Sequence, residues 1–178
     1  ILPKYRGASP IQAALLNGDS HTGITLIKLN EKMDAGPVLM SKELKIEDSD
    51  NYQSLYTKLN HLGAKLLIKF LKENWPYKLE NAKKQNETEV SFCHKIKKND
   101  TELLLSDSEE QKYNKIRAFS PKPGAFIYFK NKRLKILESK LENGKCIPVT
   151  VQAEGKKAMN YYDYCCGNPD IKELWDVK

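Results

Sequence analysis

A chain of 178 residues and 20.4 kDa has room for one ordinary domain or two small ones. With 40% hydrophobic and 30% charged residues it suits a core-forming polypeptide and excludes global disorder. The longest apolar runs are only four or five residues, far short of the roughly 20 that cross a bilayer, so no membrane partner is expected. The formal charge of +7 is unevenly spread: residues 112–157 hold 12 Lys or Arg against 3 Asp or Glu, net +9. Such a block attracts polyanions, although a solvated lysine-rich surface gives the same count. Ile1-Leu2-Pro3-Lys4 has no basic region followed by an apolar one, so no targeting peptide is expected, and a start at Ile rather than Met reads as a fragment.

Residues 9–18 predict a helix: Ser9 as cap, Pro10 at the first helical position, Gln12 completing a capping box, and Asn17-Gly18 as its stop. Residues 23–30 and 37–46 read as strands on either side of a turn. The strongest helical signal is 51–73. There Leu55, Leu59, Leu62, Leu66 and Phe70 form a stripe that Leu67 and Leu71 widen. The polar run 76–97, with Lys83-Lys84-Gln85-Asn86-Glu87 at its centre, reads as a linker. A helix over 108–119 follows, then a Pro-Lys-Pro-Gly turn at 121–124. Strands at 125–130 and 133–139 come next, joined through Asn131-Lys132. Further turns at Asn143-Gly144 and Glu154-Gly155 bracket Ile147–Ala153. Short strands at this spacing suggest a small barrel or sandwich.

Cys93, Cys146, Cys165 and Cys166 form neither a disulfide framework nor a Cys-x-x-Cys pair, and reduced cytosolic thiols are the expectation. His21, His61 and His94 lack metal-ligand spacing, so no metal is expected. Asp34 stands in a Met-Asp-Ala-Gly-Pro turn between two strands. A carboxylate held there suits an acid, a base or a water-positioning group; an aspartate bonding its own turn amides is the competing reading. Arg6-Gly7, ahead of the capped helix, suggests an anion-facing loop.

The ordered set of Leu2-Pro3-Lys4-Tyr5-Arg6-Gly7-Ala8-Ser9-Pro10-Ile11-Gln12, Asn17-Gly18, Thr22-Gly23-Ile24-Thr25 and Met33-Asp34-Ala35-Gly36-Pro37 resembles the 10-formyltetrahydrofolate-dependent formyltransferases. Within that superfamily it is most similar to the methionyl-tRNA formyltransferases. Downstream, Ile116-Arg117-Ala118-Phe119-Ser120-Pro121-Lys122-Pro123-Gly124-Ala125 and Gly155-Lys156-Lys157-Ala158-Met159 resemble the tRNA-binding C-terminal domain of the same enzymes.

The resemblance implies an α/β fold: the C-terminal part of a Rossmann-like formyltransferase domain at 1–75, a linker at 76–97, and a small OB-like β-barrel domain at 98–178. It implies formyl transfer from 10-formyltetrahydrofolate to the amine of initiator methionyl-tRNA, by a cytoplasmic enzyme, monomeric when complete and without metal. Asp34 matches the family's catalytic aspartate. The catalytic Asn and His belong upstream of Ile1, and none of the three histidines here matches. Ile1, Leu2 and Pro3 would line the folate site. Arg117, Lys122, Lys130, Lys132, Arg133, Lys156 and Lys157 would face tRNA phosphates. An amino-sugar-nucleotide formyltransferase and a non-catalytic RNA-binding fragment are the alternatives. The isolated 178 residues are expected to be inactive and prone to associate, because the two strands and the 51–73 stripe lack their neighbours.

Overall fold

Leucines and a phenylalanine at three- and four-residue steps bury one face of a long helix, and that burial organises the first half of the structure, a computed structural model describing residues 1–75 and 80–175. The chain divides into two compact units, Ile1–Ile96 and Lys97–Lys178. The elements of the first are β1 (Arg6–Gly7), α1 (Pro10–Leu16), β2 (His21–Ile27), β3 (Val38–Lys45), α2 (Tyr52–Asn74) and β4 (Phe92–Cys93). β2 and β3 form an antiparallel ribbon, with His21 opposite Lys45 and Leu26 opposite Met40. β1 and β4 pair in parallel, Arg6 with Phe92 and Gly7 with Cys93.

α2 packs on the ribbon, and α1 packs on α2. Leu55, Leu59, Leu66 and Phe70 are buried along α2, but Leu67, Ile68 and Leu71 stay about half exposed, so the buried stripe is narrower than the periodicity predicts. The start of α2 is doubly fixed. Asn51 Oδ1 accepts from the Ser54 N–H at 3.0 Å, and Ser54 Oγ accepts from the Asn51 N–H at 3.1 Å. Behind this box Asp50, 2% exposed, takes the Ser54 hydroxyl at 2.7 Å and Lys58 Nζ at 2.7 and 2.8 Å.

α1 starts at Pro10 as expected, but Ser9 makes no side-chain cap. Its backbone φ of −140° turns the residue inward, where it is buried and its N–H donates to Cys93 Sγ at 3.4 Å. The stretch expected as a linker begins at 76–79, outside the described residues. From there on it lies against the first unit: Lys83 exchanges both backbone bonds with Val38 at 2.7 and 2.9 Å, Gln85 is buried, and β4 pairs with β1.

The second unit comprises α3 (Glu109–Phe119), β5 (Ala125–Phe129), β6 (Lys132–Glu142), β7 (Lys145–Ala153), β8 (Met159–Asn160), α4 (Tyr161–Gly167) and α5 (Ile171–Trp175). The four strands form one antiparallel sheet in chain order. The pairing is that of an open meander, and no strand pairing closes it into a barrel among the described residues. A parallel bridge from Glu102 to Phe126 and bulges in β6 around Glu138 bend its edge. Lys130 and Asn131, both at positive φ, form the two-residue hairpin loop, one residue earlier than the sequence suggests. Asn143-Gly144 forms the next one in the same way. Ile116, Phe119, Ala125, Leu134, Ile136, Val151 and Ile171 make the core. Ser108 and Gln111 box the start of α3, where Glu109 also accepts from the Cys146 N–H at 2.9 Å. Burial pushes the Cys146 thiol up to about 11, which makes it a packing group rather than a nucleophile.

Candidate functional site

The turn between β2 and β3 must reverse the chain in a small space. Gly36 is required there because a Cβ would lie 1.9 Å from the Lys28 carbonyl oxygen. Asp34, two residues before it, adopts φ +54°, a left-handed conformation that aspartate tolerates better than most residues. Its carboxylate does not close on its own turn. Asp34 Oδ2 instead accepts the Gly7 N–H of β1 at 2.8 Å, bridging 27 positions of sequence. The side chain is half-buried.

Gly7 reaches Asp34 from a backbone at φ +132°, so close to β4 that a Cβ would stand 2.1 Å from the Cys93 carbonyl oxygen. Cys93 S–H donates to the Tyr5 carbonyl at 3.1 Å. Tyr5, at φ +56°, donates its hydroxyl to Asp19 at 2.9 Å. Burial, then the Asp19 bond, pushes that phenol up to about 12, so it stays a proton donor at neutral pH. The residues ahead of this corner are anchored as well. Leu2 N–H donates to Thr25 Oγ1 at 3.1 Å, Pro3 O accepts from the Ser91 N–H at 3.4 Å, and a Cβ on Gly23 would come within 2.8 Å of the Ile1 side chain. Ile1 and Leu2 therefore lie against β2, Pro3 is tied to Ser91, and Gly7 joins the same stretch of chain to Asp34.

Arg6 faces an anion within its own chain. It is 5% exposed, and its guanidinium donates to Gln85 Oε1 at 2.8 and 3.1 Å and to Glu87 at 3.0 and 3.4 Å. The Arg6 bond draws the Glu87 carboxyl below the usual range. Gln85 in turn donates to the Asp34 and Gly36 carbonyls, both at 2.8 Å. The sequence reading missed Gln85 and Glu87. The only available signal was a buried-type amide within a polar run, and that is weak.

In the second unit the basic residues divide. Lys130, Lys132, Arg133, Lys156 and Lys157 line one open groove of about 790 Å³, with Phe129, Leu134 and Tyr164 among its apolar walls. Arg133 lies 4.9 Å from the Phe126 ring and 5.9 Å from the Tyr128 ring, a cation–π arrangement. Phe129 is buried, whereas Tyr128 is half exposed. Lys130 pairs with Asp170 at 2.9 Å, in an exposed contact worth little in water. Arg117 does not line the groove: on α3 it stacks over Tyr113 at 4.7 Å and donates to Asn114 at 2.8 Å. Lys122 is exposed and also stands apart from the groove lining. Among the described residues no cluster of His, Cys, Asp and Glu has the makings of a metal site. No described helix is long and apolar enough to cross a membrane.

Comparison with known proteins fits this picture. The formyl transferase family model matches residues 1–71, and the model of the formyl transferase C-terminal domain matches residues 95–147. The methionyl-tRNA formyltransferase of Wolbachia pipientis subsp. Culex pipiens (strain wPip) is 38% identical over 186 aligned positions, which take in 94% of this chain and 60% of the relative. The chain thus spans about three fifths of the length of that curated relative. Two solved structures share the fold: methionyl-tRNA formyltransferase from Clostridium thermocellum (TM-score 0.62, 23% identity, 85% of this chain and 64% of that one) and WlaRD, a sugar 3N-formyl transferase solved in the presence of dTDP and 5-N-formyl-THF (TM-score 0.69, 20% identity, 88% and 63%). With both of its halves matched by the corresponding models, in order, the chain belongs to the formyl transferase family.

Proposed function

We propose that the complete protein transfers a formyl group from 10-formyltetrahydrofolate to the α-amine of methionyl initiator tRNA, and that Asp34 is its acid–base carboxylate. The observation that carries the reading is the Asp34 carboxylate fixed at 2.8 Å by Gly7, beside the chain's first residues. The names of the curated relatives support the acceptor.

In the proposed reaction the neutral amine attacks the formyl carbon and a C–N bond forms, giving a tetrahedral oxyanion. The bond from that carbon to N10 of the folate then breaks, N10 takes a proton, and the formylated amine and tetrahydrofolate leave. Asn and His residues upstream of Ile1 would steady the oxyanion. Asp34 Oδ2 is engaged by Gly7, so the proposal gives Oδ1 the working role. It accepts the proton of the attacking amine directly or through a water, and it orients the upstream His. Ile1, Leu2 and Pro3 contribute backbone and apolar contact to the folate. By this reading residues 1–75 complete the catalytic domain and 98–178 form an OB-like tRNA-binding domain, and the bulged β6 and the Glu102–Phe126 bridge are consistent with an incipient barrel. Lys130, Lys132, Arg133, Lys156 and Lys157 take tRNA phosphates in the groove, and Arg117 and Lys122 would meet phosphates outside it.

A second reading, formyl transfer to an amino-sugar nucleotide, draws on the fold shared with WlaRD. The two separate in one experiment. The complete protein, supplied with 10-formyltetrahydrofolate, is offered initiator methionyl-tRNA and, in parallel, an amino-sugar nucleotide. The tRNA reading expects kcat/KM at least about 100-fold higher for the tRNA; the opposite preference overturns it.

A further inference from the structure

We propose that Gln85 is the positioning residue for Asp34, an inference that rests on the reading of Asp34 as the acid–base carboxylate. A primary amide offers two N–H donors and two acceptor sites. Gln85, 9% exposed, has all four engaged: Nε2 donates at 2.8 Å to the Asp34 carbonyl and at 2.8 Å to the Gly36 carbonyl, while Oε1 accepts Arg6 Nε at 3.1 Å and Nη2 at 2.8 Å. Its orientation is fixed by chemistry. Reversing the amide would set its oxygen against two carbonyl oxygens and its NH₂ against a guanidinium.

The two carbonyls it holds stand on either side of Ala35, so neither the Asp34–Ala35 nor the Gly36–Pro37 peptide plane can rotate without breaking a bond to Gln85. That matters because Asp34 is left-handed at φ +54°, and a non-glycine residue persists there only where its surroundings over-determine it. The brace converges on one short strand. Arg6 grips Gln85 and Glu87, and its neighbour Gly7 donates to the carboxylate itself. Backbone and side chain of Asp34 are thereby set from the same two residues. Gln85, buried beneath the turn, acts on the reaction only through Asp34.

Gln85→Glu in the complete protein is the sharp test. It keeps volume and the Arg6 contact and replaces both donors by acceptors facing two carbonyls. The expected result is a fall in kcat for formyl transfer of about 10- to 100-fold, with KM for donor and acceptor changed less than about threefold. The Gly7 amide, whose bond to Asp34 loosens, should exchange its hydrogen at least about 10-fold faster than in the native protein, while amides in α2 keep their native rates. Should Gln85→Glu fail to fold, Gln85→Met, which fills the space without donors, is held to the same readouts. Asp34→Asn is measured alongside. If Asp34→Asn abolishes transfer while the Gln85 variant keeps native kcat and native Gly7 exchange, the brace is overturned and the role of Asp34 stands. If Asp34→Asn transfers at the native rate, the underlying reading has failed instead.

Discussion

A methyl group added to Gly7 would stand 2.1 Å from the Cys93 carbonyl oxygen, on a backbone at φ +132° that side chains rarely adopt. Two consequences follow from that one atom: β1 must separate from β4, and the N–H that holds Asp34 must move. Gly7→Ala should destabilise the first unit by about 2 kcal/mol or more, read as a lower urea midpoint, and should reduce formyl transfer by the complete protein in parallel. At this scale the sequence was partly legible. The Asp34 turn stands out through the aspartate and the glycine and proline after it, and its carboxylate meets a residue of the Arg-Gly pair. The bond partners were not legible, because Gly7 and Gln85 lie 27 and 51 positions from Asp34 and no local pattern encodes those pairings. The partners of Arg6 were hidden for a related reason. A guanidinium beside a helix start suggests an anion, and here the Glu87 carboxylate, 81 positions away, supplies it together with the Gln85 amide.

α2 illustrates what periodicity can and cannot specify. Its existence and its buried line of Leu55, Leu59, Leu66 and Phe70 follow from the spacing. The width of the stripe does not, because Leu67 and Leu71 find no neighbour within the first unit that covers them fully. Leu55, fully buried, is the position where truncation leaves an unfilled space, and Leu55→Ala should cost about 2–5 kcal/mol in a denaturant titration, whereas Leu67→Ala should cost under about 1 kcal/mol. The start of the helix also carries a pH signature. Burial alone would raise the Asp50 carboxyl, but the Lys58 bond, the Glu47 N–H and the Ser54 hydroxyl outweigh it and hold the group below its ordinary 3.8. A depressed carboxyl stabilises the fold above the unfolded value, and that contribution disappears as pH falls through the folded one. Stability of the native protein should therefore decline below about pH 4 more steeply than that of Asp50→Asn; parallel acid limbs in the two proteins would show that Asp50 contributes nothing to it. The cap of α1 is the counterexample: Ser9 sits where a cap belongs, yet its side chain makes no cap bond and its N–H is given to Cys93.

For the whole molecule, the proposed function needs a working aspartate in the first unit and, in the second, a cationic groove suited to a polyanionic acceptor. If four to six phosphates are engaged, the logarithm of tRNA affinity should fall against the logarithm of salt with a slope of about −3 to −5. Lys156→Ala together with Lys157→Ala should flatten that slope by about 1.5, while Lys122→Ala, away from the groove, should change it least. The concentration of charge in 112–157 is plain in the sequence, but the assembly of five cations around one groove depends on a hairpin loop, the turn after β7 and α4 meeting in space. The acid–base role of Asp34 can be read from single-turnover formyl transfer to initiator methionyl-tRNA by the complete protein and its Asp34→Asn variant. The variant should be slower by about 10²- to 10⁴-fold with tRNA affinity retained. Transfer by the variant at the native rate would contradict it.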